Sequence, residues 1–572
     1  MQTPKELLLE LLKPDGQPDR ALVQYEAFSC FFGEPISAYL RGNRKLGETV
    51  KDRWGTTIAW EEGSAGAMPV TTDELKVLKD ITHWRDYVKA PDLSHLADED
   101  WETARIVGRK AAGDDRLFTV FMGTGIFEQC HFLMGFEDTL TALYEHPQEM
   151  HELIDYILQY RLQYVTMLLD KLKPDALLSH DDWGTKNALF MKPEMWREFF
   201  KEPYRKFYGE VRKRGVIAVH HADSYLVPIV DDMAEIGIQV WQGTLPENDI
   251  PALQEHLNGR MVLMGGVGAA IDRVDATEEE IRAYVRATCE ANCPGGYYIP
   301  CITYGLPKSV YPHVEPIISD EIRAYNESLH IRRFVRPMTP RRVAAVNGGA
   351  FFGAAQEEST DLLSDLSAAL YKGQKKKVLT LTEQAVNAGI TPAVILSDGL
   401  MDGMNKIGSD FSAGKVFVPE MLMAARCMAA ATEYLKPFMV AGGSETIGRA
   451  CLGTVQGDMH DIGKNLVRIM MEGAGIEVLD LGTDVSAETF VQTAIDKKCD
   501  IIALSSLLTT SMNNMRDVVT LAEECGIRDR VKIMIGGAPT SQEFCDEIGA
   551  DLWTEDAGAA AREAVRLIKE KG

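Results

Sequence analysis

Gly457-Asp458-Met459-His460-Asp461-Ile462-Gly463-Lys464-Asn465 lies between a short apolar run at 450–455 and an apolar, helix-spaced stretch at 466–471. The order apolar run, polar loop, amphipathic stretch predicts a strand, a loop and the start of a helix. The loop presents His460. Asp458, two residues earlier, is near enough in sequence to hydrogen-bond one ring nitrogen and leave the other as a more basic metal ligand. Gly463 permits a tight turn behind the histidine. Taken alone, the stretch also reads as a helix cap beside a surface histidine.

Downstream, apolar runs recur at 478–482, 501–505, 531–537 and 550–553, separated by helical patterns. Five strands alternating with helices predict a flavodoxin-like, doubly wound parallel sheet over 443–572. The loops after its first, third and fourth strands carry His460, Ser505-Ser506-Leu507 and Gly536-Gly537, so all three converge on the carboxyl edge where such sheets bind ligands. Upstream, 359–442 shows helical periodicity with short breaks and no strand pattern, which predicts a bundle of about four helices capping the sheet. Its helix-spaced Met and Ala read first as ordinary core, although a bundle capping a large flat apolar ligand would use the same adaptable residues.

Before the bundle, 336–358 replaces periodicity with Pro, Gly and Ala and reads as a linker between domains that move relative to each other. The remaining 1–335 alternate helical patterns with apolar runs at 117–121, 176–179, 216–219, 238–241, 261–264 and 297–300. That alternation and length predict a (β/α)8-type barrel. Polar residues follow each run: His180-Asp181-Asp182-Trp183-Gly184, His220-His221-Ala222-Asp223, Gln242-Gly243, Gly265-Gly266 and Cys301-Ile302-Thr303-Tyr304-Gly305. A barrel keeps its active site at these strand ends.

With 572 residues, the chain is too long for one core. Lys+Arg 60 against Asp+Glu 85, net −25, argues against nucleic acid or an anionic membrane as partner. The opening Met1-Gln2-Thr3-Pro4-Lys5-Glu6 lacks a charged-then-apolar signal pattern, and no run of about 18 apolar residues occurs, so a cytoplasmic location is expected. Ten scattered cysteines then read as reduced thiols, a few of them potential ligands.

Asp458-x-His460-x-x-Gly463, Ser505-x-Leu507 and Gly536-Gly537, preceded by Val418-Pro419-Glu420-Met421-Leu422, resemble the corrinoid-binding module of cobalamin-dependent methyltransferases and methionine synthase. The resemblance implies that a cobalamin or other corrinoid is bound, with His460 as lower cobalt ligand and Asp458 tuning it. It assigns Ser505, Gly536 and Gly537 to the slot for the displaced nucleotide tail and counts Gly463 and Leu507 among the cofactor-binding residues.

The first 335 residues resemble the methyltransferase branch of the uroporphyrinogen decarboxylase-like superfamily, which includes methylcobamide:coenzyme M and chloromethane:corrinoid methyltransferases. The carriers are Gly125-Ile126-Phe127-Glu128, Asp181-Asp182-Trp183-Gly184, His221-Ala222-Asp223-Ser224 with Pro228, and Cys301 before Tyr304-Gly305. Members hold zinc with a His-x-Cys pair and a distant Cys. The register set by Pro228 carries this to His221, Asp223 and Cys301, with Asp in place of Cys. Positions i and i+2 of a strand share a face, and zinc accepts an oxygen ligand. His220 leaves a second register open, and Asp223 could instead bond substrate or donate a proton.

A tetrapyrrole decarboxylase would carry an arginine-rich segment where Phe28-Ser29-Cys30-Phe31-Phe32-Gly33-Glu34-Pro35 contains none. The resemblance therefore implies a methyltransferase that moves a methyl group from a small donor to cobalt(I) of its own corrinoid domain, with His221, Asp223 and Asp182 as catalytic residues. An alkoxide is a poor leaving group, so an ether donor needs a proton or a Lewis acid at its oxygen. Trp183, Trp241, Tyr298 and Tyr304 beside the strand ends would suit an aromatic methyl ether, with a halomethane or methylamine as alternative donors. Onward transfer implies a separate folate or thiol methyltransferase and a reductive activator. A non-catalytic corrinoid carrier or sensor, or a decarboxylase with an appended module, are the rival readings.

Overall fold

The computed structural model describes residues 2–42, 44–60, 66–305, 308–329, 362–412, 414–441, 447–458, 462–507, 511–537, 539–554 and 557–571. His460 and the linker at 336–358 lie outside the described residues. The chain divides into two compact units, 1–349 and 350–572.

In the first unit the strands are β1 (Phe28–Phe31), β2 (Thr49–Lys51), β3 (Thr57–Ala59), β4 (Met68–Pro69), β5 (Leu117–Met122), β6 (Ala176–His180), β7 (Ile217–His221), β8 (Val240–Thr244), β9 (Val262–Val267) and β10 (Tyr298–Ile302). Seven form one sheet in the order β1-β5-β6-β7-β8-β9-β10, with every neighbouring pair parallel. Each strand lies beside the next of its sheet, joined through helices, which is the barrel topology. Residues of β7, β8, β9 and β10 are buried throughout, as expected of strands covered on both faces.

Two features depart from the expected eight-strand ring. Among the described residues no eighth strand joins β1 to β10. Gln24 spans the seam: its N–H donates to Pro300 O (3.2 Å), and its Oε1 accepts from Ile302 N (3.2 Å). The short β2–β3–β4 antiparallel sheet is inserted between β1 and β5, where no alternating pattern announced it. The register also shifts between β8 and β9 at Gln242/Thr244. Gly243 there has φ +96, and a Cβ would meet Ala222 O at 2.7 Å, so the irregularity requires glycine.

In the second unit, helices Leu362–Tyr371, Lys375–Asn387, the run 392–412 and Val418–Ala441 precede β11 (Gly448–Thr454), β12 (Ile476–Asp480), β13 (Ile501–Ser505), β14 (Lys532–Gly536) and β15 (Leu552–Trp553). The sheet is parallel in the order β12-β11-β13-β14-β15, the flavodoxin order. Leu370, Val378, Met404 and Met428 of the helices share one buried core with Leu452 and Met534 of the sheet, so these methionines do pack as core. Phe490, Ile502 and Ile533 belong to a second core. No helix among the described residues is long and apolar enough to cross a membrane.

Candidate functional site

The chain reverses direction across the second sheet between β11 and β13, which opens a crevice at their carboxyl ends. Asp458, fully buried in the loop after β11, bridges to the loop after β13. Its Oδ2 accepts from Leu507 N (2.6 Å), Ser511 Oγ (3.0 Å) and Ser506 Oγ (3.2 Å). Leu507 therefore takes part through its backbone, while its side chain is exposed. Ser506 and Ser511 were not singled out from the sequence, because a hydroxyl that only steadies a carboxylate has no spacing signature.

Gly463, Ser505, Gly536 and Gly537 all line one cavity of about 230 Å³. Phe411 and Met421 reach it from the helices, and among the described residues no lining residue is charged. A side chain at Gly463 would stand in open space, with nothing within 4 Å of its Cβ. At Gly537, φ is +123 and a Cβ would overlap the Ser506 carbonyl oxygen. A glycine-floored slot on a switch-point crevice, lined among the described residues by apolar and small polar groups, fits the nucleotide tail of a corrinoid. Gly463, Ser505, Gly536 and Gly537 thus line one crevice, while Asp458 and Leu507 join the loops after β11 and β13 to each other.

In the barrel, β6 and β7 end in the same short pattern, His180-Asp181-Asp182 and His221-Ala222-Asp223. The two histidines pair across the strands with ring centroids 5.0 Å apart. His180 Nε2 lies 3.1 Å from Asp182 Oδ2, and its Nδ1 lies 3.4 Å from Glu128 Oε2. Burial opposes charge on His180, but Glu128 and Asp182 outweigh it and push the ring up to about 10. Burial likewise opposes charge on Asp182, yet His180 holds that carboxyl down at about 2. Asp182 Oδ1 in turn accepts from Asp223 N (3.2 Å) and Ser224 Oγ (3.3 Å). Asp223 retains exposure at the mouth, but desolvation by the strand ends, followed by the charge of Asp182, raises its carboxyl to about 7.

His220 points away from this mouth: it stacks on Trp183 at 4.3 Å and meets Tyr208 Oη at 2.7 Å. His221 is the inward histidine, in the register expected. Gln242 Nε2 donates to Ile302 O (3.4 Å) and Tyr304 O (3.0 Å), so its Oε1 must face His221 Nδ1. An amide oxygen only accepts, hence Nδ1 carries the proton and Nε2 is bare. Burial, with His180 next, lowers the His221 ring to about 4, so it stands neutral at ordinary pH. Gly305 makes room for it, since a Cβ there would lie 3.0 Å from Nε2.

The expected zinc set, His221, Asp223 and Cys301, is not assembled. Cys301 is fully buried, and the Gln242 amide links His221 to the β10 exit. Burial, then Cys30 and Glu315, hold the Cys301 thiol well above its usual range. Among the described residues, three ligand-type atoms within 4.8 Å of one another are found at Glu128, His180 and Asp182.

Neither Glu128 nor His180 was assigned a role from the sequence. The His-x-Asp pattern shared by two adjacent strands is the signal that could have found His180. Three of the four expected donor-flanking aromatics prove to be packing: Trp183 and Trp241 are fully buried, with Trp241 Nε1 donating to Ala222 O, and Tyr298 Oη donates to Gly265 O.

Asp181 explains part of the motif. Buried behind the mouth, it accepts from Phe127 N (2.9 Å), Glu128 N (2.9 Å) and Tyr204 Oη, and so caps the helix Ile126–Met134 from another strand. Glu128 reaches back to Gly125 N (3.0 Å). Any Cβ on Gly125 would overlap the Asp181 carboxylate. Gly125→Ala is expected to destabilise the barrel by about 1–3 kcal/mol through overpacking; an unchanged urea midpoint for that unit would contradict the cap.

Family models agree with this division. The uroporphyrinogen decarboxylase (URO-D) model matches residues 49–314, and two B12 binding domain models match 362–436 and 448–565. The dimethylamine corrinoid protein 2 of Methanosarcina acetivorans is 44% identical over 220 residues, which are 38% of this chain and 100% of that protein. Trimethylamine corrinoid protein 1 of the same organism is 40% identical over 206 residues, covering 36% of this chain and 94% of the relative. A solved methyltransferase from Methanosarcina mazei shares 15% identity over 58% of this chain and 100% of its own, with a TM-score of 0.39. The chain belongs to the corrinoid protein family and joins its B12-binding module to a URO-D-type barrel, the pairing of a corrinoid-dependent methyltransferase.

Proposed function

We propose that the barrel of residues 1–335 detaches a methyl group from a small methyl ether, best an aromatic one, and passes it to a corrinoid held by residues 359–572. The observation that carries this reading is the crevice in which Gly463, Ser505, Gly536 and Gly537 meet, with no charged side chain in its lining among the described residues. A bound corrinoid supplies a cobalt nucleophile able to accept a methyl group. The second unit's residues do the holding: Gly463, Ser505, Gly536 and Gly537 line the tail slot, Asp458 ties the two loops together, and His460 is the proposed lower ligand.

At the barrel mouth the task is to neutralise the oxygen that leaves. Asp182, kept ionised by His180, repels charge from Asp223, and Asp223 holds its proton close to neutral pH, the match a general acid needs. Asp223 then gives that proton to the departing oxygen. Neutral His221 offers its bare Nε2 to a donor hydroxyl or ring substituent. Zinc on His221, Asp223 and Cys301 forms no part of this reading, because those residues are apart.

A methylamine donor is the second reading, favoured by the names of the corrinoid relatives. The partners proposed for onward transfer are a separate folate or thiol methyltransferase and a reductive activator of the corrinoid. Reconstitution of the full chain with cobalamin tests the ligand assignment. His460→Ala is expected to abolish histidine-on coordination in the visible or electron paramagnetic resonance spectrum, and an unchanged spectrum sinks it. A panel of methoxyarenes and methylamines, read by product chromatography, decides the donor.

A further inference from the structure

The crevice of the second unit is apolar well beyond its glycines. Leu452, Val467, Met471, Ala503 and Met534 wall it, and Met421 faces them from the helices. All of these except Val467 are buried. The thioethers of Met421, Met471 and Met534 mould to a flat ring without dictating one outline.

Polar partners are scarce there. Among the described residues the polar side chains of the lining are those of Ser505 and Thr554, each bringing one hydroxyl. The strand-end carbonyls are already engaged. Ser505 O accepts from Val455 N (3.0 Å), Gly536 O from Ser506 N (3.1 Å) and Ile535 O from Thr554 N (3.3 Å). Gly537 O accepts from Thr540 N (3.0 Å) and Thr540 Oγ1 (2.7 Å). A group that enters this slot meets two hydroxyls and otherwise apolar surface.

The lower bases of corrinoids ask different things of such a place. A benzimidazole released from cobalt carries one bare ring nitrogen, which a single hydroxyl satisfies, and a cresol tail asks for less. Adenine carries several ring nitrogens and an exocyclic amine that must donate. Two hydroxyls leave part of that edge unpaired, and a polar group buried without a partner lowers affinity. Adenine and dimethylbenzimidazole are fused two-ring bases of nearly equal size, so polarity rather than volume separates them.

We propose that the slot selects corrinoids by their lower base, taking benzimidazole or phenolic tails and rejecting purine tails. This selectivity rests on the reading of the crevice as the nucleotide-tail site. The base is the part of the tail that a cavity of about 230 Å³ takes.

Anaerobic titration of the full chain, produced without corrinoid, tests the selection. The ligands are cobalamin, its cresolyl and adeninyl counterparts, and tail-less cobinamide, all held as cobalt(I). In that state the lower base is off the metal in each, so coordination drops out of the comparison. The readout is corrinoid co-eluting with protein on gel filtration. Cobalamin and the cresolyl corrinoid are expected to bind at least about tenfold more tightly than the adeninyl corrinoid, and cobinamide more weakly than cobalamin. Met421→Gln and Met534→Gln each bring an amide to the wall and should narrow the cobalamin-to-adeninyl ratio by about threefold or more. Met421 lies on the helix Val418–Ala441, outside the sheet, so its variant keeps that comparison usable if Met534→Gln fails to fold. Equal affinity for cobalamin and the adeninyl corrinoid overturns the proposal. Equal affinity for all four, cobinamide included, overturns it too and leaves a corrinoid held without its tail. Binding of none removes the corrinoid reading itself together with the proposal.

Discussion

Asp223→Asn is expected to slow methyl transfer from an aromatic ether by about 10²–10⁴-fold, the usual contribution of a general acid, while transfer from methyl iodide changes little. Iodide leaves without a proton, so the ratio between the two donors isolates the acid. The pH dependence follows in sign from the same group. Only protonated Asp223 can donate, and its carboxyl sits near 7, so the ether rate should fall about tenfold per pH unit above that value. Asp182→Asn removes the negative charge that helps hold the proton, and the falling limb should move to lower pH. A flat profile, or equal losses with ether and iodide, would remove Asp223 from the chemistry.

Folding stability responds to the same cluster in opposite directions. His180, raised to about 10, stabilises fully below its unfolded value near 6.5, and that contribution is lost as pH rises through 10. Asp182, depressed to about 2, contributes above about 3.9 and loses its share as pH falls through 2. Asp223 is the reverse case: its raised carboxyl makes folding progressively less favourable between about pH 4 and 7.

Gly537→Val should deprive the second unit of its corrinoid. With φ at +123, the backbone is in a region that a branched residue enters at a cost of about 1–3 kcal/mol, and the added Cβ overlaps Ser506 O as well. Relief requires Ser506 to move, which breaks its N–H bond to Gly536 O (3.1 Å) and disturbs its hydroxyl contact with Asp458. The expected result is a drop of at least about 100-fold in cobalamin retention, equivalent to about 2.7 kcal/mol, measured as absorbance co-eluting with protein on gel filtration. Gly463→Ala is the companion. Its Cβ meets nothing within 4 Å, so the unit should fold normally and yet bind corrinoid less well. Wild-type retention by Gly537→Val would overturn the crevice assignment.

Much of the architecture was legible because burial on both faces writes a parallel strand as a continuous apolar run. The runs at 176–179 and 501–505 sit almost on β6 and β13. The run at 238–241 was displaced from β8, which extends to Thr244 through the irregularity at Gly243. β1 and the β2–β4 insertion were missed: they are short, and partial exposure leaves no unbroken apolar run. At the crevice the glycines stand out along the chain, and at Gly537 a backbone constraint accounts for one of them. At the barrel mouth the decisive facts are lateral. Nothing along the chain says that Glu128 lies beside His180, or that a glutamine amide links His221 to the exit of the strand bearing Cys301.

At its seam the ring of the barrel is fastened by isolated bonds from Gln24 and Tyr25, whose Oη donates to Tyr304 O (2.9 Å). A ladder between two strands opens only when several bonds fail together, whereas this clasp is two adjacent residues, the first held at φ +49. Compliance in the barrel is therefore concentrated at one address, and the six laddered junctions can keep the mouth residues in register while the seam gives. A cylinder so built behaves mechanically like a split collar, stiff around the arc that carries the chemistry and yielding at its clasp.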